Sequence, residues 1–208
     1  MSINYYERDL PDDWSCSDTA VAVDTEAMGL KPYRDRLCVI QLSVGNGEAD
    51  IIRIGRKSAE DDVQASNIVR LMLDTKITKI FHYARFDLGA IFLHFGVMPY
   101  PVWCTKIASK LVRTYTDKHS LKELLRGLLC VDVSKRQQHS DWGVPVLSKA
   151  QLSYAASDVL YLHQLKEQLT ILLEREGRLD IAEACFEFLP TKVRLDLMGW
   201  NEESIFDH

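Results

Sequence analysis

Residues 19–25 (TAVAVDT) form a run of small and β-branched apolar residues that ends beside an acid. This pattern predicts a central β-strand. Two further strands are predicted at residues 36–44 and 49–54, separated by the glycine-rich turn of residues 45–47. Three strands joined by such short links favour an antiparallel meander.

The rest of the chain alternates between helical and extended patterns. Helices are predicted at residues 58–73, 84–95, 105–112, 120–129, 147–175 and 180–188, and extended segments at 76–81 and 98–104. This order predicts an α/β fold, with a mixed five-stranded sheet whose first three strands are antiparallel and which is flanked by helices. We expect one domain over residues 1–208, with residues 191–208 forming a tail docked on the chain itself or on a neighbouring subunit.

The composition argues against several classes of protein. The chain of 208 residues is 47% hydrophobic and 26% charged, as soluble globular domains are. It contains no apolar stretch of 18 residues and no apolar leader at its acidic N-terminus, so a cytoplasmic location is expected. Its five scattered cysteines include no C-x-x-C pair, which favours reduced, buried thiols over a zinc site or a disulfide framework.

The net charge of −5 bears on the size of any nucleic acid that the chain could bind. Proteins that bind long nucleic acid through many phosphates are usually basic, because their affinity comes largely from released counterions. An acidic chain can still bind a short nucleic acid when metal ions and a few local cations contact the phosphates. The charge therefore argues against a large duplex footprint and says little against a small one.

Three short motifs contain acids in positions where they could bind metal ions. Asp24 and Glu26 end the first predicted strand, and residues two apart on a strand point to the same face. Asp87 lies in the first turn of a helix that follows a later strand, whereas Tyr154 and Asp158 share one face of a late helix. Each motif alone also fits a structural role: a solvated strand end, an acid that complements a helix dipole, or a tyrosine at an interface.

Together, the ordered motifs D-x-E, F-D and Y-x-x-x-D resemble those of the DEDD 3′→5′ exonucleases, in their tyrosine-containing (DEDDy) variant, and more closely the ribonuclease D group. Residues 151–165 resemble that group's third motif, and residues 135–142 resemble its K-x-x-Q-x-S-D-W segment. Residues 104–108 resemble its D-T-x-x-A helix start, although Cys104 stands in place of the usual acid. The resemblance covers residues 19–175 and implies a ribonuclease H-like fold.

The resemblance also implies a metal-dependent reaction. Asp24, Glu26 and Asp158 are implied to bind the cation that carries the attacking water, and Asp24 with Asp87 the cation near the leaving 3′ oxygen. Both cations are expected to be Mg²⁺ or Mn²⁺, because hard ions prefer oxygen ligands. Tyr154 is implied to orient the water, and the implied products are nucleoside 5′-monophosphates released from a 3′ end.

Within this family the short chain resembles the nanoRNase C enzymes, which cut very short RNA and form homo-oligomers, more than full-length ribonuclease D with its additional helical domains. The implied substrate is a short oligonucleotide of RNA, down to a dinucleotide. Two alternatives stay open: ribonuclease D-like trimming of longer structured RNA, and hydrolysis of DNA 3′ ends. A non-catalytic nucleic-acid-binding protein is a remote alternative.

Six residues near these motifs are candidates for substrate contacts: Thr25, Leu30, His82, Tyr83, Lys122 and Trp142. The spacing D-x-E-x-x-G-L resembles the first motif of oligoribonucleases, in which the leucine wedges between bases, although Leu30 equally fits a loop leucine that closes the core. Tyr83 and Trp142 are candidates for stacking on bases.

The charged candidates have structural alternatives as well. Lys122, Arg85 and Arg136 could contact phosphates, or could simply be solvated side chains beside helices. His82 follows a predicted strand, where a histidine with a structural hydrogen bond is equally expected.

Overall fold

The fold is that of a computed structural model. It describes residues 2–16, 18–31, 33–55, 66–133, 137, 140–201 and 205–206.

A six-stranded mixed sheet forms the centre of the molecule, in the order β1-β4-β3-β2-β5-β6. Its strands are β1 (Ser2–Glu7), β2 (Ala20–Ala27), β3 (Leu37–Ser43), β4 (Glu48–Arg53), β5 (Thr78–Phe81) and β6 (Val102–Cys104). The pairs β2–β3 and β3–β4 are antiparallel, whereas β1–β4, β2–β5 and β5–β6 are parallel. The predicted α/β class and antiparallel meander are therefore confirmed.

Seven helices of the described residues flank this sheet. They are α1 (Asn67–Leu73), α2 (Ala84–Phe95), α3 (Thr105–Val112), α4 (Leu121–Leu129), α5 (Lys149–Val159), α6 (Leu162–Arg175) and α7 (Leu179–Leu197). Helix α5 packs across β2, β3 and β4, α6 packs on β2 and β5, and α2 packs on β2 and against α7. None of the helices in the described part of the chain is long and apolar enough to cross a lipid bilayer.

The predicted count of five strands was wrong, because β1 was missed. This strand lies at the sheet edge and pairs in register with β4, from Ser2 opposite Glu48 to Glu7 opposite Arg53. Its residues are exposed or half-buried, so the sequence SINYYE lacks the apolar run that marked the central strands. By contrast, every residue of β3 is buried.

Three helix boundaries also differ from the prediction. Helix α1 begins at Asn67, because the Ser66 side chain accepts a hydrogen bond from the Val69 amide; residues 56–65, where the helix was predicted to start, lie outside the described residues. The single helix predicted at residues 147–175 is broken at residues 160–161 into α5 and α6. Helix α7 continues through Pro190 to Leu197, because its apolar face remains packed on the core.

A buried lysine secures the loops at the start of β5. The Lys79 ammonium donates to the carbonyl oxygens of Asp74, Ile77 and Tyr100 at 2.6, 2.8 and 2.8 Å. These bonds satisfy all three donors of the ammonium group. Burial nevertheless lowers the pKa of Lys79 to about 8. The lysine therefore ties β5, whose end leads into the acidic cluster, to the loops beside it.

Candidate active site

Three carboxylates converge at the end of β2. Asp24 and Glu26 lie on the same side of this strand, opposite Gln41 and Val39 of β3, and the pairing shifts register immediately after Glu26. Helix α5 brings Asp158 to the same point, so that one ligand oxygen from each of the three side chains lies within 4.8 Å of the others. Such a set of oxygen donors matches the preference of Mg²⁺ and Mn²⁺.

A fourth carboxylate lies behind this trio. Asp87 occupies the first turn of α2, as predicted, but only 3% of it is exposed. Its Oδ1 accepts a hydrogen bond of 2.7 Å from the Thr25 hydroxyl on β2. Asp87 is therefore not a solvent-exposed acid that only complements the helix dipole. The Thr25 hydroxyl orients Asp87 through this bond, and because Thr25 also lines the cleft, its contact with a substrate stays a prediction.

The acids raise one another's pKa values. Burial, followed by the charges of Asp87, Asp158 and Glu26, raises the pKa of Asp24 well above its ordinary value. Burial, followed by the charges of Asp158 and Asp87, raises the pKa of Glu26 to about 9, and burial raises that of Asp87 to about 7. Four carboxylates so close together, three of them half-buried and Asp87 buried, are costly unless positive charge compensates them. A divalent cation supplies that charge, and so the residues present fit a metal centre.

Tyr154 stands beside the acids on α5. A capping box, in which the Ser148 side chain accepts from the Gln151 amide, fixes the start of this helix. The spacing of four residues brings the Tyr154 hydroxyl into hydrogen-bonding contact with Asp158. Burial, and then the nearby carboxylates, raise the pKa of Tyr154 far above its ordinary value, so the phenol keeps its proton at neutral pH.

An open cleft with a cavity volume of about 500 Å³ gives access to these groups. Its walls come from the end of β2 and the loop after it, from the start of α2, and from α3, α4 and α5. Pockets of this size suit small ligands. The cleft can therefore admit a small ligand as far as the acids that line it.

Comparisons with known proteins bear on this acidic cleft. A protein-family model for 3′-5′ exonucleases matches residues 10–174. This chain belongs to the DEDD family of 3′→5′ exonucleases. Its relatives include ribonuclease D of Acidiphilium cryptum, with 36% identity over 160 residues that cover 77% of the exonuclease and 39% of that protein. The exonuclease thus spans about two fifths of the length of the first ribonucleases D that it matches.

Two solved structures of one relative are similar over nearly their whole length, and a third is similar over less than half of its length. Brucella melitensis NrnC with bound Mg²⁺ is 56% identical, with a TM-score of 0.92 and coverage of 100% of both chains. The same protein bound to pGG is 56% identical, with a TM-score of 0.94 and coverage of 100% of the exonuclease and 99% of that chain. Escherichia coli RNase D is 25% identical, with a TM-score of 0.72 and coverage of 84% of the exonuclease and 45% of that chain. The predicted resemblance to the nanoRNase C group is confirmed.

The loop after β2 forms a lip on the cleft of the exonuclease. We define the lip loop as residues 28–31 and 33–35. Leu30 is 82% exposed and lines the cleft, so the alternative that it closes the core was wrong. The Asp35 carboxylate accepts from the Lys31 amide at 2.9 Å, and a Cβ added at Gly29 would overlap it. This close approach explains why glycine precedes the leucine.

His82 is held in one orientation by Thr105. The Thr105 hydroxyl donates to the Phe81 carbonyl at 3.2 Å, which uses its only hydrogen. Thr105 Oγ1 must then accept from His82 Nδ1, which lies 2.9 Å away. This assignment makes Nε2 the acceptor of the neutral ring. Both predicted roles of His82 are thus compatible with the exonuclease: it makes a structural hydrogen bond and it also lines the cleft.

Trp142 does not offer a stacking surface, contrary to the prediction. It is only 2% exposed, and its ring centroid lies 6.1 Å from that of Tyr154. The indole therefore supports the tyrosine from within the wall. Tyr83 is exposed at the mouth of the cleft, with Lys106 Nζ 3.9 Å from its ring centroid.

The cations differ in how available they are. Among the cleft-lining residues that the structure describes, Lys106 and Lys122 carry the permanent positive charges. Lys122 Nζ lies 3.3 Å from Asp132 Oδ1, at the surface. Arg85 is paired with Asp196 and is not among the described residues that line the cleft, so it is not simply a solvated side chain, and its contact with phosphate stays a prediction.

Some sequence interpretations cannot be compared with the fold, and some residues were missed. Arg136, as well as the lysine and glutamine of the K-x-x-Q segment, lie outside the described residues. Lys106 was not selected from the sequence, because nothing local separates it from other lysines on helices. Met28 was missed too, although its place two residues before Leu30 was a usable signal.

Proposed function

We propose that this protein is a metal-dependent 3′→5′ exoribonuclease that hydrolyses short oligonucleotides, down to dinucleotides, to nucleoside 5′-monophosphates. The observation that carries the proposal is the convergence of Asp24, Glu26 and Asp158 within 4.8 Å at the base of a cleft of about 500 Å³. The size of the cleft supports cleavage at a chain end, because a cavity of this volume suits the terminal nucleotides of a strand better than a long duplex. Brucella melitensis NrnC, similar over its full length, binds pGG.

Two divalent cations, Mg²⁺ or Mn²⁺, complete the proposed site. Asp24, Glu26 and Asp158 would bind one of them, and Asp24 with Asp87 the other. Such a pair supplies a water of lowered pKa and charge to stabilise the attacking and leaving oxygens. Asp87 also needs an orienting partner, and the Thr25 hydroxyl provides it at 2.7 Å.

Tyr154 would orient the attacking water through its hydroxyl. The phenol keeps its proton, because burial and the carboxylates raise its pKa. Its single hydrogen points to Asp158, so the phenol oxygen orients the water by accepting a hydrogen bond from it. Trp142, packed behind the ring, limits the movement of this hydroxyl.

The preference for short substrates is supported by charge and shape. A long RNA needs many phosphate contacts to bind tightly. In the described lining of the cleft, Lys106 and Lys122 are the permanent cations, and the whole chain has a net charge of −5. We propose that these lysines contact phosphates, that Leu30 and Tyr83 contact bases, and that His82 contacts the substrate beside the acids.

A time course with RNAs of two to about twenty nucleotides, labelled at the 5′ end, tests the proposal. We expect rapid hydrolysis of the dinucleotide with Mg²⁺, slow hydrolysis of the longest RNA, and none with a chelator. DNA oligonucleotides of matched sequence measure the preference for ribose. A ladder on the long RNA that stalls at short products would instead support ribonuclease D-like trimming, which the ribonuclease D relatives make the second candidate.

The C-terminal tail is proposed to mediate self-association. Trp200, Ile205 and Phe206 remain exposed, although the Phe206 ring lies 6.1 Å from that of Phe188 on α7. Exposed apolar side chains of this kind mark contact surfaces. We expect the particle mass, measured by light scattering, to fall when residues 199–208 are deleted. An unchanged mass would contradict this role of the tail.

A further inference from the structure

The C-terminal end of α7 contacts both sides of the cleft mouth. One side is the lip loop, which carries Leu30. The other is the first turn of α2, which carries Tyr83 at its N-cap and Asp87 inside the cleft. We use the term brace for residues 192–201, which cover the end of α7 and the turn after it.

The brace reaches the lip loop through Tyr33. The Tyr33 hydroxyl donates to the carbonyl oxygen of Leu197, the last residue of α7. Carbonyls in the last turn of a helix lack partners within the helix, so this bond satisfies one of them. Within the lip loop, the Asp35 carboxylate accepts from the Lys31 amide and packs against Gly29, which links the part of the loop that carries Tyr33 to the part that carries Leu30. A shift at Tyr33 is therefore transmitted to Leu30.

The brace reaches α2 through Arg85. Its Nη2 donates to Asp196 Oδ1 at 2.8 Å and to the Asn201 carbonyl at 3.2 Å. Lys192 Nζ donates to the same Asp196 oxygen at 2.7 Å and to the Trp200 carbonyl at 3.2 Å. The side chain of Asp196 is only 14% exposed, so this network is screened less than a surface ion pair. Arg85 precedes Asp87 by two residues, which ties the catalytic helix to the brace.

We propose that the brace sets the width of the cleft mouth, and that Tyr33, Arg85 and Asp196 are positioning residues for the nuclease reaction. The inference rests on the proposed function, since it concerns how a short substrate is aligned. A misplacement of about 1 Å can cost on the order of 100-fold in rate. The two contacts of the brace should affect different steps. The contact through Tyr33 positions the lip loop, which is proposed to bind the substrate, whereas the contact through Arg85 positions α2, which carries the carboxylate of Asp87.

The variants Tyr33→Phe, Asp196→Asn and their combination test the brace by steady-state kinetics on a dinucleotide. We expect Tyr33→Phe to raise KM about fivefold with kcat within twofold, and Asp196→Asn to lower kcat about tenfold, because errors in alignment act on rate. The fall in kcat/KM of the double variant should be smaller than the product of the falls in the two single variants, because both contacts act through the same end of α7. The matched control is Glu176→Gln, which removes the surface pair with Arg175 and should leave KM and kcat unchanged.

Unchanged KM and kcat in both single variants would overturn the proposal, as would effects that multiply independently. The proposal would also be overturned if kcat/KM fell only in proportion to the melting temperature of each variant, with no separate effect on KM in one variant and on kcat in the other. The wild-type protein is measured in parallel on the dinucleotide and on the long RNA. If it prefers the long RNA, the proposed substrate length fails, and the same KM and kcat comparison on that RNA still decides the role of the brace.

Discussion

Replacing Asp24 with asparagine is expected to lower the rate of RNA hydrolysis by on the order of 10³-fold or more while the protein stays folded. Loss of a partner outside the ligand shell of a metal already costs about 10- to 100-fold, so loss of a direct ligand should cost more. Asp24 is proposed to bind both cations, which makes it the least replaceable of the acids. Initial rates on a dinucleotide with saturating Mg²⁺ measure the effect.

The same variant should gain stability in the absence of metal. The pKa of Asp24 is raised by burial and by Asp87, Asp158 and Glu26, so its negative charge is unfavourable in the folded protein. An asparagine removes that repulsion while keeping the shape of the side chain. The expected combination of a higher melting temperature and lost activity is typical of residues that serve function at the expense of stability.

Asp50→Asn is the matched control for Asp24→Asn. Asp50 is another acid on the central sheet; it is buried, and it accepts hydrogen bonds from Trp14 Nε1 at 2.8 Å and Asn4 Nδ2 at 3.0 Å. Its replacement should lower the melting temperature and leave kcat within twofold. If Asp24→Asn kept the wild-type rate, the assignment of the site would be wrong.

Raising the pH from 6 to 9 is expected to destabilise the metal-free protein and to strengthen its stabilisation by Mg²⁺. The pKa of Glu26 is raised to about 9 and that of Asp87 to about 7, from ordinary values of 4.5 and 3.8. Between the ordinary and the raised value, the folded protein keeps a proton that the unfolded chain has lost. Stability therefore falls as pH rises through this window, by up to roughly 1.4 kcal/mol per pH unit for each such group.

Mg²⁺ must displace these protons, so it should bind more tightly at higher pH. At about 100 times the dissociation constant, binding stabilises a protein by about 2.7 kcal/mol, which corresponds to several degrees in melting temperature. Thermal melts at pH 6 and pH 8, each with Mg²⁺ or chelator, measure both effects. A Mg²⁺ shift that is equal at the two pH values, or that persists in Asp24→Asn, would contradict the prediction.

The convergence of the acids could be predicted because it follows from local rules. A spacing of two residues on a strand, or of four on a helix, places two side chains on the same face. The resemblance to a known family supplied the order of the motifs. The sequence could not reveal which of the nearby side chains are exposed in the cleft and which are buried behind its surface. Trp142 was expected to stack on bases, yet the fold buries it behind Tyr154.

Contacts between distant segments were the least predictable. Arg85 and Asp196 are separated by 111 positions, and nothing near either residue marks them as partners. The edge strand β1 was missed for a related reason, because its stability depends on pairing with β4 and on few apolar residues of its own. Helix α7 passes Pro190 because distant packing outweighs a local helix breaker.

Strand β1 has a consequence for the solubility of the molecule. Without it, β4 would become the outermost strand, and its unpaired backbone groups would lie next to the fully buried side chains of Ile51 and Ile52. An apolar strand with a free edge is a template on which a second molecule can add its own strand. The polar, half-exposed sequence SINYYE covers that edge with a surface less prone to further pairing. The most exposed strand of the sheet thus protects the apolar strand beside it from pairing with a second molecule.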